Sequence, residues 1–158
     1  MNVFLILLVK ISPLYLNVLL GFLSTKYLAV QRESIASLLI YIIGPLVVLS
    51  ATMSVEINPS IAFLPIALYI FGSAVAFLTL FIFGKNWDDP TGNILAFSAG
   101  TGNTGYFGIP LALIFFDTNL ANIYIFTVLA SLLYENTTGF YVTAKGNFTA
   151  RESLLKII

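Results

Sequence analysis

The chain has 158 residues, of which 59% are hydrophobic and 9% charged, with a mean hydropathy of +0.99 and a formal net charge of zero. Ordinary soluble domains carry roughly 25% charged residues, so this composition marks an integral membrane protein. Histidine and cysteine are both absent; this excludes disulfides, thiolate or imidazole metal centres and Ser-His-Asp or Cys-His nucleophiles, while the lack of any basic block excludes nucleic acid as a partner.

A helix crosses the roughly 30 Å hydrocarbon layer with about 20 residues. Five segments reach that length: residues 3–23, 35–53, 61–83, 93–116 and 121–144. The fold class is therefore all-α, with five transmembrane helices. No basic n-region or small-residue cleavage site precedes the first apolar run, which reads as a retained span and not a signal peptide. Lys10, the only basic residue within a span, lies about 10 Å below Val3, within reach of the interface for a snorkelling side chain. Pro13, Pro45 after Gly44, and Pro65 predict local kinks that admit close neighbours.

The connections set the orientation. Lys26 and Arg32 lie between spans one and two, Lys85 between three and four, and Lys145, Arg151 and Lys156 after span five, so all fall on one side. The connections around Glu56 and Asp117 carry no Lys or Arg. The bias predicts a plasma-membrane protein with its N-terminus outside and its C-terminus cytoplasmic, and Tyr27 and Trp87 suit the interfacial aromatic belt. Asp88, Asp89 and Asp117 read as solvated loop charges or helix caps. Residues 1–148 thus form one transmembrane unit. In 149–158, Thr149 and Glu152 have capping-box spacing, which predicts the start of a cytoplasmic linker or next helix that the sequence enters for about two turns, as if cut.

Span four is interrupted. Leu95 to Ala99 can form a first half-helix and Tyr106 to Phe116 a second, separated by Gly100-Thr-Gly102-Asn103-Thr104-Gly105. Glycine costs about 1 kcal/mol against alanine inside a helix, and Pro110 cannot donate to the carbonyl of Tyr106, so unwinding is cheap here. In lipid such a break is tolerated only where protein or a water-filled cavity takes up the freed backbone groups, the usual setting of a transport site. The first half-helix ends in carbonyls suited to a cation and the second begins in N–H groups suited to an anion, with Asn103 between them able to donate and to accept. The competing reading is that the small residues only permit close helix packing. Gly100-x-Gly102-x-x-Gly105 also spells a dinucleotide fingerprint, but no strand precedes it and Tyr124 to Thr127 offers no ribose-binding acid.

Span five carries Glu135 near its middle, followed by Asn136, Thr137 and Thr138. An ionised carboxylate is excluded from lipid, so Glu135 must face protein, water or a bound ion; it is a candidate for coupling to H+ or Na+, with Asn136, Thr137 and Thr138 as further polar ligands beside it. The plainer alternative is an interhelical hydrogen bond from this residue. Asn136-Thr-Thr138 and Asn147-Phe-Thr149 spell glycosylation sequons, one inside a span and one on the cytoplasmic side, where neither is modified.

Asn103-Thr-Gly-Tyr-Phe-Gly-Ile-Pro110-Leu resembles the Asn-x-x-x-x-Gly-(Ile/Leu)-Pro signature of the auxin efflux carrier family, whose bacterial members are described as permeases for malate, malonate and related solutes. Leu20-Gly-Phe-Leu-Ser24 and Tyr41-Ile-Ile-Gly-Pro45 are similar to the same family. The resemblance implies one inverted repeat of a bile-acid-symporter or antiporter-like fold, with two five-helix repeats whose broken helices cross beside the substrate at mid-membrane. It also implies that Asn103 and Pro110 are the crossover asparagine and proline of the first repeat. The chain departs from that pattern in length, because the second repeat is missing, and its basic residues disfavour an upside-down second copy.

The expectation is a secondary transporter of small organic anions or weak acids such as carboxylates, represented by its N-terminal half. Gly102, Asn103, Thr104, Gly105 and Pro110 form the substrate site, Glu135 and Asn136 the coupling site, no metal or organic cofactor takes part, and a second repeat or second chain completes the carrier. The alternative is a non-transporting membrane subunit that packs a helix of another chain. Enzymatic function is not expected, since Glu135 alone cannot form a carboxylate dyad.

Overall fold

A computed structural model describes residues 3–155. Lys156 and the two isoleucines after it, assigned above to the final helix, lie outside the described residues, as does the extreme N-terminus. Every regular element among the described residues is helical. Three helices are long and apolar enough to cross a membrane, Phe4–Tyr27, Arg32–Ser54 and Pro59–Asn86.

The first of these is α1 (Val3–Tyr27), through which Pro13 passes without ending the helix. Ala29, at φ 53°, turns the chain in the left-handed region. The second long helix is built from α2 (Arg32–Leu38), a π turn (Leu39–Ile43) and α3 (Gly44–Ser54). The π turn has a cause in the sequence. Pro45 cannot donate to the carbonyl of Tyr41, and its ring would collide with that group in a regular α-turn; widening the backbone just before it removes the conflict. A Cβ on Gly44 would stand 2.9 Å from the Leu39 carbonyl oxygen, so the widened turn also wants a residue without one.

The start of α4 (Pro59–Phe83) precedes the expected residue 61 because Asn58 and Pro59 cap it. Asn58 Oδ1 accepts the Ile61 N–H at 3.0 Å, and Pro59 takes the first helical position, where a missing donor is harmless. A 3₁₀ turn (Gly84–Asn86) and the Asp88-Asp89-Pro90 loop lead into α5 (Thr91–Gly100). The hydroxyl and N–H of Thr91 hold the Asp89 carboxyl below the usual carboxylate range, the N–H donating to Asp89 Oδ1 at 2.9 Å.

Beyond residues 101–103, which are not helical, come a π turn (Thr104–Gly108) and α6 (Ile109–Phe115). Asp117 Oδ1 accepts the Leu120 N–H at 2.9 Å and starts α7 (Thr118–Thr127) three residues before the expected 121. There follow α8 (Leu129–Tyr134), a π turn (Glu135–Gly139) and α9 (Phe140–Ala144). Val128 and the residues at each later junction keep right-handed helical backbone angles, so residues 118–144 form one continuous helical run. The capping box opens α10 (Ala150–Leu155): Glu152 Oε2 accepts from the Thr149 N–H at 2.9 Å and hydroxyl at 2.7 Å.

Packing is concentrated where α4, α5 and the 118–144 run meet, with α3 against α7 beside them and α1 joined chiefly through α6. Much of the buried apolar core is alanine, including Ala76, Ala96, Ala112, Ala121 and Ala130. Leucine gains nothing by leaving lipid, so membrane helices associate where small side chains let backbones touch. The closest crossing is Gly72 of α4 with Gly100 of α5: a Cβ on Gly72 would lie 2.5 Å from the Gly100 carbonyl oxygen, and one on Gly100 would lie 2.6 Å from that of Gly72. Lys10 Nζ stands 5.5 Å from the ring centroid of Phe115, a cation–π contact tying α1 to the end of α6.

Candidate functional site

The break is shorter than the sequence suggests. It comprises Thr101, Gly102 and Asn103, while Thr104 and Gly105, expected within it, already belong to the π turn of the second half-helix. Asn103 causes the early restart. Its Oδ1 accepts the Phe107 N–H at 3.2 Å and its carbonyl accepts the Gly108 N–H at 3.1 Å, so one residue supplies the cap and the first wide-turn bond. Pro110 lies at the start of α6, beyond the unwound residues, and the π turn precedes it just as another precedes Pro45. Both prolines are accommodated by widening the preceding turn.

With Oδ1 engaged, the remaining polar group of Asn103 is its Nδ2 amide, a donor, on a residue that is itself exposed. The N–H groups that open a helix have no acceptor within it, and Gly105 and Tyr106 stand in that first turn beside the Phe107 N–H that Asn103 takes up. The start of the second half-helix therefore presents donors and no charge.

Two kinds of glycine meet here. At Gly100 a Cβ would collide with the Tyr134 phenol, and at Gly108 with that of Tyr124, so these glycines serve packing. At Gly102 nothing lies within 4 Å of a Cβ, and at Gly105 the nearest atom, of Val128, is 3.9 Å away. Neither has a positive φ. Neither packing nor backbone conformation thus requires glycine at these two positions; the space beside Gly102 is open, while a Cβ on Gly105 would make an ordinary contact with Val128.

The 118–144 run grips both sides of the break. Tyr134 OH donates to the Phe97 carbonyl at 2.9 Å, near the end of the first half-helix. The Thr101 hydroxyl donates to Glu135 Oε1 at 3.0 Å. The Thr104 hydroxyl lies 2.8 Å from that of Ser131, and its carbonyl accepts from Tyr124 OH at 3.0 Å. Glu135 is thereby brought to the break, but Asn136 is not: it is exposed and donates to the Leu132 carbonyl of its own helix at 2.8 Å. Adjacent residues on a helix diverge by about 100°, so neighbours in sequence do not share a face.

Between α4, the break and the 118–144 run lies a cleft of about 410 Å³. Its lining combines apolar Leu68, Phe71 and Val75 with Thr101, Gly102 and Thr104 of the break and Tyr124, Ser131 and Tyr134 opposite. Sequence reading missed the contributions of Tyr124, Ser131 and Tyr134. The available signal was the spacing of Tyr124, Ser131 and Glu135, seven and then four residues apart, which places three polar side chains on one helical face. Also missed was the hydroxyl cluster between α4 and the π turn of Glu135–Gly139. There Tyr69 OH lies 3.2 Å from Thr137 Oγ1 and 3.0 Å from Thr138 Oγ1, and the Ser73 hydroxyl donates to Thr138 Oγ1 at 3.0 Å. Thr137 in turn donates to the Leu133 carbonyl at 2.5 Å. The cluster satisfies itself and ties α4 to the helix that carries Glu135. A second cavity, of about 420 Å³, is lined by Ser54, Glu56, Asn58 and Asn119 where α3 leads into α4, and contains none of the expected site residues. Comparison of the chain with protein-family models, curated proteins and solved structures gives no match.

Proposed function

We propose that the chain is one five-helix repeat of a secondary transporter for small organic anions or weak acids such as carboxylates, with its substrate site at the break. The observation that carries this reading is the open space at Gly102, beside Asn103 and the start of the second half-helix, where neither packing nor φ explains glycine. A stripe of small residues kept only for helix contact would be filled by a neighbour, as it is at Gly100 and Gly108. In this reading α5 and the Thr104–Phe115 half form the fourth span and residues 118–144 the fifth, in a plasma membrane with the basic connections inside.

The substrate carboxylate rests on Asn103 Nδ2 and the Gly105 and Tyr106 N–H groups, while its body lies along the apolar wall of the cleft. Glu135 is the coupling residue. The resemblance to auxin efflux carriers suggests a second repeat of opposite orientation, supplied by the same polypeptide or by another chain. The test is uptake of labelled malate, malonate and benzoate into vesicles carrying the full-length protein. Asn103→Ala should lower uptake of any transported member about tenfold or more at equal membrane abundance, as expected when a hydrogen bond to a charged group is lost. Unchanged uptake would remove the assignment.

One observation favours a second reading. No residue in the apolar window of α1 is buried, which suits a subunit that receives a helix of another chain. A stoichiometric partner that copurifies, with no solute flux from the chain in any assembly, would establish that reading instead.

A further inference from the structure

Glu135 is the only charged residue in 59–83, 91–115 and 118–144, the segments that surround the cleft. The titratable groups otherwise present on these elements are phenols: Tyr69 on α4, Tyr106 in the π turn after the break, and Tyr124, Tyr134 and Tyr141 on the 118–144 run. α5 and α6 contribute none. Glu135 is thus the one carboxyl group on the elements that surround the break.

The immediate partner of Glu135 is a hydroxyl with one proton. Thr101 Oγ1 donates to Glu135 Oε1 at 3.0 Å, and Thr101 also lines the cleft. An ionised carboxylate only accepts, so in this state the single hydroxyl proton of Thr101 is committed to Glu135 and unavailable to anything in the cleft. A protonated carboxyl reverses the bond. Its O–H donates to Thr101 Oγ1, and the Thr101 proton is released to point elsewhere. The direction of one hydrogen bond thus depends on one proton, with no movement of the backbone.

We propose that Thr101 is a proton-controlled donor: protonation of Glu135 turns the Thr101 hydroxyl toward the cleft, where it donates to a bound carboxylate, so that a proton and an organic anion bind together. The inference rests on the transport reading and deepens it by naming the coupling ion as H+ and the group that links it to the substrate. A proton needs the carboxylate alone, and the side-chain partner seen at Glu135 is the one hydroxyl of Thr101, while Asn136 bonds to its own helix. Protonation also removes the only negative charge beside a cleft that contains no Lys or Arg to offset it.

Position and charge are separable by experiment on the full-length protein in lipid vesicles. The carboxyl stretching band of Glu135, identified by its loss in Glu135→Gln, is followed by infrared difference spectroscopy against pH, with and without saturating pyruvate or benzoate. Uptake of the same two probes is measured in parallel. Above the carboxyl pKa a single linked proton gives about a tenfold fall in affinity per pH unit. The wild type and Thr101→Ser should show that dependence, and the probe should increase the protonated band at fixed pH. Glu135→Gln, which can donate to Thr101 at every pH, should bind with pH-independent affinity. In Thr101→Val the probe should no longer increase the protonated band at fixed pH. Uptake with full pH dependence in Thr101→Val overturns the proposal and leaves the transport reading standing. Absence of binding and uptake of both probes in the wild type overturns the proposal together with that reading.

Discussion

Gly21 and Gly100 lie in helices of similar apolar character and in opposite surroundings. Around Gly21, in α1, nothing would come within 4 Å of an added Cβ, whereas around Gly100 the Gly72 carbonyl and the Tyr134 phenol occupy the space. The contrast extends to whole regions. Within α1 the side chains of Ser12, Ser24 and Thr25 donate to carbonyls of their own helix. The hydroxyls of Ser73, Thr101, Thr104, Tyr124 and Tyr134 instead cross from one element to another. A hydroxyl satisfied by its own helix leaves that helix free to face lipid or a partner. One satisfied across a boundary fixes two elements relative to each other, and in this chain such ties gather around the break.

The sharpest way to break the comparison is one substitution in both regions. Gly100→Leu forces a branched side chain into the α4–α5 crossing and should destabilise the fold by about 3 kcal/mol or more. Gly21→Leu meets no atom within 4 Å and should leave stability unchanged or raise it by up to about 1 kcal/mol, because glycine is a poor helix former. Reversible unfolding in mixed detergent micelles reads both. Equal losses would mean that α1 is packed against another helix in the folded protein.

A smaller effect tests the crossing bonds. Tyr134→Phe keeps the ring, which stacks on Phe97 with centroids 6.0 Å apart, and removes the donor to the Phe97 carbonyl. The expected loss is about 1 kcal/mol, because interhelical hydrogen bonds in membranes are individually modest and a freed carbonyl at a helix end finds other donors. A loss below the detection limit would make these bonds positional and not energetic.

How far the sequence discloses this arrangement depends on the interaction. Long apolar helices are legible because hydrocarbon imposes one requirement on the whole segment, and the interruption at Thr101–Gly102–Asn103 is legible because glycine and a capping asparagine act locally. Their limits were displaced by side chains whose capping role is short-ranged: Asn58 and Asp117 begin helices early, and Asn103 restarts one inside the expected gap. Less accessible were relations between elements. Tyr124 and Ser131 read as ordinary span residues until Thr104 is placed opposite them. Asn136 looked like a partner of Glu135 by adjacency, but helical geometry turns it away. Glu135 was singled out by charge alone; that its partner is Thr101, 34 residues earlier, required the fold.

The smallest expected effect on stability carries the largest functional consequence. Gly102→Ala adds one methyl group where nothing lies within 4 Å, at a residue without positive φ, and Gly102 lies outside any helix. Unfolding free energy should therefore shift by no more than about 0.5 kcal/mol, with a slight gain as likely as a loss because alanine restricts the unfolded chain. If the space is kept for a solute, the same methyl group reduces the room beside Asn103 and Thr101, and probe uptake should fall several-fold while the folded population is unchanged. Gly100→Ala, two residues earlier, should do the reverse, lowering the folded population by steric conflict with Tyr134 and acting on uptake only through it. Parallel losses of fold and uptake in both variants would make Gly102 another packing glycine and place the break among the helix contacts.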